Sequence, residues 1–239
     1  MNIIRVKLET AQRLKDLAKS MLRIDQVSFI ELEKFLGICE FCQLVSTKGR
    51  TMSFHLSTLL AKTASLGRTL AETKIIKITK EARTELKYWN NIMDHRHMKL
   101  KKVRENTHWI NTYSDASNQR WACQIGEEEK TSKNFDLDDE QMTIFLKELS
   151  AVRSLFKLYL DKEDAFIRCN IDNQAVVNVL KKKKGNSLRA NVIIGDILKI
   201  QEEKNLTVEF NWIDTELMRI ARDVEKSIFD LCIIIFFSF

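Results

Sequence analysis

The sequence predicts an α/β fold, in which a mixed β-sheet flanked by helices is preceded by a mainly helical basic region. Up to residue 93, apolar residues recur at helical spacing. From residue 107 onward, the pattern changes to short alternating runs separated by turn residues. These later segments follow the order strand, strand, strand, helix, strand, helix, helix, strand. That order favours one sheet with both antiparallel and parallel neighbours.

The basic N-terminal region is predicted to contain four helices. The segment LETAQRLKDLAKSMLRI places its apolar residues on one helical face. In SFIELEKFLGICEFC, Ser28 is the expected N-cap and Glu31 closes a capping box. After a turn at STKGR, MSFHLSTLLAKTASLG is the third helix, and TKEARTELKYWNNIM, capped by Thr79, is the fourth. The polar segment DHRHMKLKKVREN marks the junction between two domains.

The second region is predicted to form the sheet and its flanking helices. HWINTYSDAS and RWACQIG form a hairpin, and KTSKNFDL adds a third strand. DDEQMTIFLKELSAVRSLFKLYL is expected to be one helix of more than five turns, with acids in its first turn. DAFIRCNID is the fourth strand, and NQAVVNVLKKKKG is a helix closed by Gly185. SLRANVIIGDILKIQEEKN is the last helix, and LTVEFNWI is the last strand.

Charge is distributed unevenly along the 239 residues, whose formal net charge is +6. Residues 1–105 carry 21 Lys and Arg against 11 Asp and Glu, whereas residues 106–239 carry 18 against 22. Nucleic acid is the expected partner of the basic half, with a solvated surface as the alternative. The segment MNIIRVKLET lacks the apolar core of a signal peptide, and five irregularly spaced cysteines are not expected to form a disulfide framework. We therefore expect an intracellular location, cytoplasmic or nuclear, and no membrane partner.

Three acids have unusual settings for surface residues. Asp115 and Asp172 each end a predicted strand, and Glu148 lies on the apolar face of the long helix. Singly, each acid would be a cap, a turn residue or a surface residue. A buried carboxylate beside two others is costly, and a divalent cation removes that cost. Because oxygen ligands suit hard cations, we predict a Mg²⁺ or Mn²⁺ site.

The motifs YSDAS with RWACQIG, LKELSAV and CNIDNQAVVNVLKKKKG resemble those of a type 1 ribonuclease H domain, of the kind attached to retroelement reverse transcriptases. WIDTELMRIARDVEKS is similar to the family's final motif, an Asn followed by an Ala-Asp pair and Ser-Arg. In that motif Arg219 replaces the Asn and Arg222 replaces the Ala, and Asp214 and Asp230 are alternatives for its acid. The resemblance implies four catalytic, metal-binding carboxylates: Asp115, Glu148, Asp172 and Asp223.

The function implied by this resemblance is that of a hydrolase, an endonuclease cleaving the RNA strand of RNA–DNA hybrids. Two Mg²⁺ ions about 4 Å apart would be its cofactors, with Asp115 contacting both. Three residues beside the acids could contact 2′-hydroxyls or act only as turn and cap residues: Asn118, Gln119 and Asn173. Four lysines could bind phosphates or form a solvated helix end: Lys181, Lys182, Lys183 and Lys184. No histidine follows Asp115, so the product-release histidine of many family members is missing and slow turnover is expected.

The resemblance extends upstream of the sheet region. LEKFLGICEFCQLVSTKGR and ITKEARTELKYWNNIM look like the segment that joins a reverse transcriptase's polymerase to its ribonuclease H. The polymerase motif of an aromatic, any residue and two aspartates is missing. We therefore interpret residues 1–104 as a thumb/connection-like region, 105–230 as the ribonuclease H-like domain and 231–239 as an aberrant apolar tail.

The chain is thus expected to be a C-terminal fragment of a retrotransposon reverse transcriptase that does not itself polymerise. Its expected partners are an RNA–DNA hybrid and the polymerase part of a parent reverse transcriptase. The alternative is a non-catalytic, nucleic-acid-binding remnant of such an element.

Overall fold

The computed structural model describes residues 3–95, 97–99, 107–126, 129–135, 141–158 and 161–214. Within these ranges the chain divides into two compact units. The first comprises residues 1–104 with 183–198, and the second comprises residues 105–182 with 199–239. The predicted tail at 231–239 lies outside the described residues.

The first unit is mainly helical, as predicted. Its helices up to residue 92 are α1 (Leu8–Ile24), α2 (Phe29–Cys42), α3 (Phe54–Ala64), α4 (Arg68–Glu72) and α5 (Lys80–Ile92). Four short strands accompany them: β1 (Ile3–Arg5), β2 (Gln26–Ser28), β3 (Ile75–Lys77) and β4 (His97–Lys99). β1 pairs antiparallel with β4, and β2 with β3. Neither α4 nor these strands was predicted, because three to five residues are too few to establish a period.

Local capping explains where two of these helices begin. The Glu31 N–H donates to Ser28 Oγ at 3.3 Å, and the Ser28 N–H donates to Glu31 Oε2 at 3.1 Å. This reciprocal pair is the predicted capping box of α2. At α5, the Ala82 N–H donates to Thr79 Oγ1 at 3.2 Å, which confirms Thr79 as the N-cap.

One buried carboxylate links two helices of this unit. Glu85 of α5 is only 3% exposed and accepts hydrogen bonds from the His55 N–H at 2.8 Å and the Leu56 N–H at 2.9 Å. It also hydrogen-bonds to His55 Nδ1 at 3.0 Å. Glu85 therefore satisfies otherwise open N–H groups at the start of α3. Burial raises the pKa of Glu85 above its ordinary value, and these hydrogen bonds oppose that rise.

The second unit is organised by a five-stranded mixed sheet. Its strands are β5 (Trp109–Ala116), β6 (Arg120–Ile125), β7 (Glu129–Asn134), β8 (Phe166–Ile171) and β9 (Thr207–Trp212). They lie in the order β7-β6-β5-β8-β9. β5 pairs antiparallel with β6, and β6 with β7, whereas β8 is parallel to both β5 and β9. This topology confirms the predicted mixed sheet, with three antiparallel strands and further parallel strands.

Three further helices connect these strands: α6 (Ile144–Leu158), α7 (Gln174–Lys182) and α8 (Leu188–Glu203). The prediction for the first was wrong at its start, because α6 begins at Ile144 after a turn at Gln141 and a bend at Met142. Its first turn carries no acid. Residues 138–140, which supplied the predicted acids, lie outside the described residues.

The predicted end of α7 was also wrong. Lys183, not Gly185, follows the helix in the left-handed conformation, with φ of 54°. Gly185 is required for a different reason, since a Cβ there would lie 2.6 Å from the Cβ of Ala190 in α8. The buried Asn191 side chain completes this close approach by donating to the Gly185 carbonyl at 2.9 Å. Within the described ranges, no helix is both long and apolar enough to cross a bilayer.

Candidate metal centre

The register of two parallel strands places Asp115 beside Asp172. Ser114 of β5 lies opposite Ile171, the last residue of β8, so the residue that follows each of them in the chain is one of the two acids. Both side chains are half-buried. Because parallel strands present their carboxyl ends at the same edge of a sheet, the two carboxylates share one location.

Glu148 reaches the same location from α6, which packs across β5 and β6. The side chain of Glu148 is only 5% exposed, and Leu149, Ala151 and Val152 around it are fully buried. The apolar face of the helix therefore carries a carboxylate to the end of the central strands. An ionised carboxylate in such a setting requires a compensating partner.

The three acids form one cluster. One carboxylate oxygen from each of Asp115, Glu148 and Asp172 lies within 4.8 Å of the other two. Three negative charges this close repel one another, whereas a divalent cation between them converts repulsion into attraction. All three donors are oxygens, the ligand type preferred by Mg²⁺ and Mn²⁺. The cluster therefore fits a hard metal ion.

The backbone that carries Asp172 is held by the last strand. Trp212 of β9 donates its indole Nε1–H to the carbonyl oxygen of Asp172 at 3.0 Å. The Ile213 N–H donates to the carbonyl oxygen of Ile171, also at 3.0 Å. These two bonds limit the freedom of the segment that follows β8, and the sequence analysis did not identify either of them.

The fourth predicted acid stays a prediction. Asp223 and its alternative Asp230 lie outside the described residues. The other alternative, Asp214, is described and exposed, and the three-acid cluster does not include it.

The predicted nucleic-acid residues Asn118 and Gln119 lie exposed in the turn between β5 and β6. Ser117 Oγ shapes this turn by accepting from the Gln119 N–H at 3.3 Å and the Arg120 N–H at 3.0 Å. The carbonyl of Gln119 accepts from the Phe135 N–H at 2.9 Å. The backbone groups of the turn thus form hydrogen bonds within the protein, while the side chains of Asn118 and Gln119 face solvent.

The third of these residues, Asn173, caps a helix. Its Oδ1 accepts from the N–H groups of Ala175 at 3.1 Å and Val176 at 3.3 Å, which is the N-cap geometry of α7. Asn173 directly follows Asp172, so this cap also stabilises the backbone beside the acidic cluster.

The four predicted phosphate-binding lysines surround the end of α7. Lys181 and Lys182 are exposed in its last turn, and Lys184 is exposed beyond it. Lys183 is half-buried, and burial lowers its pKa from the ordinary lysine value. A positive cluster at a helix C-terminus is favourable with or without a bound phosphate.

Sequence reasoning missed one buried cation, Lys147, which is only 3% exposed. Its Nζ donates to the carbonyl oxygen of Asn118 and lies 5.5 Å from the ring centroid of Phe135. The available signal was weak: Ser150 and Ala151, one turn further along α6, are small enough to leave room for a lysine stem.

No protein-family model and no curated protein matches this chain. Among solved structures, a ribonuclease H1 from Halobacterium salinarum NRC-1 is similar at 15% identity and a TM-score of 0.38, over 46% of this chain and 89% of its own. A foamy viral protease-reverse transcriptase in complex with an RNA/DNA hybrid is similar at 16% identity and a TM-score of 0.31, over 86% of this chain. A foamy viral protease-reverse transcriptase in complex with double-stranded DNA is similar at 15% identity and a TM-score of 0.30, over 85% of this chain. The chain spans 27% and 41% of the length of these two viral proteins.

Proposed function

We propose that this chain is a metal-dependent ribonuclease H, an endonuclease that hydrolyses the RNA strand of RNA–DNA hybrids. The observation that carries the proposal is the meeting of Asp115, Glu148 and Asp172 within 4.8 Å at the carboxyl ends of β5 and β8. Each of the three acids also belongs to a motif that resembles the ribonuclease H family.

The three carboxylates would hold Mg²⁺ or Mn²⁺ and thereby orient a phosphodiester at the sheet edge. When bound, such ions act as Lewis acids on the phosphate and lower the pKa of a water nucleophile. The chain contributes a rigid frame, since Asp115 and Asp172 follow the sheet register and Glu148 lies on a packed helix. That rigidity keeps the donors oriented before substrate arrives.

Selection of RNA would depend on groups beside the cluster. The exposed side chains of Asn118 and Gln119, with Asn173, are near enough in the chain to the acids to contact ribose 2′-hydroxyls. The lysines of the α7 terminus and the basic first unit would contact phosphates. We further propose that residues 1–104 are the thumb/connection-like part of a retrotransposon reverse transcriptase, with its polymerase part as a partner.

A second candidate is a non-catalytic nucleic-acid-binding remnant. It is favoured by Arg219 and Arg222 in the last motif, where the family has Asn and Ala, and by the position of Asp214 outside the cluster. A remnant would keep the basic surfaces and the fold while losing the fourth metal ligand.

Cleavage of an end-labelled RNA–DNA hybrid with and without Mg²⁺ distinguishes these candidates. We expect Mg²⁺-dependent cutting of the RNA strand, no cutting of a DNA duplex of the same sequence, and a loss of at least about 100-fold in Asp115→Asn. Asp161→Asn, an exposed acid after α6, is the matched control and should retain activity. Hybrid binding without cutting would support the remnant, and equal cutting by Asp115→Asn would refute the site.

A further inference from the structure

Lys147 is an unusual residue to find buried. Lysine is almost never fully buried unless it is paired, because its ammonium group loses water on burial. Here the ammonium contacts a backbone carbonyl of the β5–β6 turn and the face of Phe135, and neither partner carries a charge. Among the described residues these two contacts compensate for the lost water less fully than an ion pair would, so packing alone gives no reason to prefer lysine to methionine at this position.

The placement of the contact indicates what the lysine does. Asn118, whose carbonyl accepts the bond, lies three residues after Asp115, and Lys147 directly precedes Glu148. The hydrogen bond thus joins the two segments that carry two of the three clustered acids. Phe135, whose ring the ammonium also contacts, binds this turn directly, since its N–H donates to the Gln119 carbonyl at 2.9 Å.

We propose that Lys147 is a positioning residue of the acidic cluster, which ties the β5–β6 turn to α6 and so sets the spacing between Asp115 and Glu148. This inference rests on the proposed metal site and adds a determinant of its affinity. Asp172 does not depend on this link, because the Trp212 indole and the N–H of Ile213, just after β9, hold the backbone around it separately. Loss of Lys147 should therefore loosen the cluster without dispersing it.

The test is direct measurement of Mn²⁺ binding to the full chain by calorimetry. Lys147→Met keeps the stem and removes the donor, and we expect the Mn²⁺ dissociation constant to rise at least about tenfold, as for groups that orient metal ligands. Lys147→Arg keeps N–H donors and should lose less than about threefold. Lys157→Met, an exposed lysine further along α6, is the matched control and should bind as the wild type does.

Amide hydrogen exchange in the metal-free protein supplies an independent reading of the link. Exchange of the Arg120 and Phe135 amides, which are hydrogen-bonded within and onto the turn, should accelerate in Lys147→Met and not in Lys157→Met. Unchanged exchange, unchanged Mn²⁺ affinity or equal losses in the Met and Arg variants would each overturn the positioning role. A wild-type chain that binds no Mn²⁺ would instead refute the metal site itself, whatever the exchange experiment shows.

Discussion

Replacing Glu148 with glutamine should stabilise the metal-free protein. The carboxylate oxygens of the cluster lie within 4.8 Å of one another, and two unit charges at that distance repel by about 3.5 kcal/mol at an effective dielectric constant of about 20. Solvent reaches the half-buried Asp115 and Asp172 and screens part of the repulsion, so the net effect is smaller. We expect Glu148→Gln to raise the free energy of unfolding without metal by about 1–2 kcal/mol.

The same substitution should abolish stabilisation by Mg²⁺. A ligand at ten times its dissociation constant stabilises a folded protein by about 1.4 kcal/mol, and this increment should appear in the wild type only. Urea unfolding followed by tryptophan fluorescence suits the measurement, because Trp109, Trp121 and Trp212 belong to the unit that contains the cluster. Glu163→Gln, at an exposed acid, is the control. A Glu148→Gln protein that is less stable without metal yet still stabilised by Mg²⁺ would contradict the assignment.

Three further predictions concern the first unit. Gly185→Ala should lower the free energy of unfolding by about 1–3 kcal/mol in thermal or urea unfolding, because the added Cβ would lie 2.6 Å from that of Ala190. Phe35→Ala should lower it by about 3–5 kcal/mol, since this ring is fully buried in the first unit; a loss under 1 kcal/mol would mean that the core is misassigned. The raised pKa of Glu85 means that the folded state binds its proton more readily than the unfolded state, so its contribution to stability should decline as pH rises above its ordinary value of 4.5. Urea titrations between pH 4 and 7 should therefore show the wild type losing stability relative to Glu85→Gln as pH rises, and parallel curves would contradict the shift.

Elements with strong local signals were predictable from the sequence. Helix α1 has the predicted bounds, and the capping box at Ser28 and Glu31 forms as expected, because period and capping depend only on neighbouring residues. The end of α7 was not predictable in the same way. Glycine is the usual residue after a helix, yet Gly185 is needed for its contact with Ala190, and Lys183 adopts the left-handed conformation instead.

In the candidate site, too, the residues with a local sequence signal were predictable and those that depend on a tertiary contact were not. The convergence of Asp115 and Asp172 could be predicted, since both lie at the carboxyl ends of parallel strands, and Glu148 could be predicted from the apolar face of its helix. Lys147 could not, because its partner is a backbone carbonyl 29 residues away, and no side-chain pattern encodes that contact. A side chain that orients a site by binding a distant backbone carbonyl is therefore hard to identify from a single sequence.

The way in which the acids are held determines which variants test the site cleanly. Sheet register positions the backbone of Asp115, and two hydrogen bonds from the end of β9 hold the backbone around Asp172. Helix packing positions that of Glu148. Because none of these constraints is mediated by a carboxylate of the cluster, exchanging an acid for its amide should remove charge and metal affinity while leaving the fold in place. A cluster assembled mainly by metal would behave differently: its acids would lie apart in the metal-free protein, so its amide variants would gain no stability without metal, and that difference separates a preorganised site from acids that only the ion brings together.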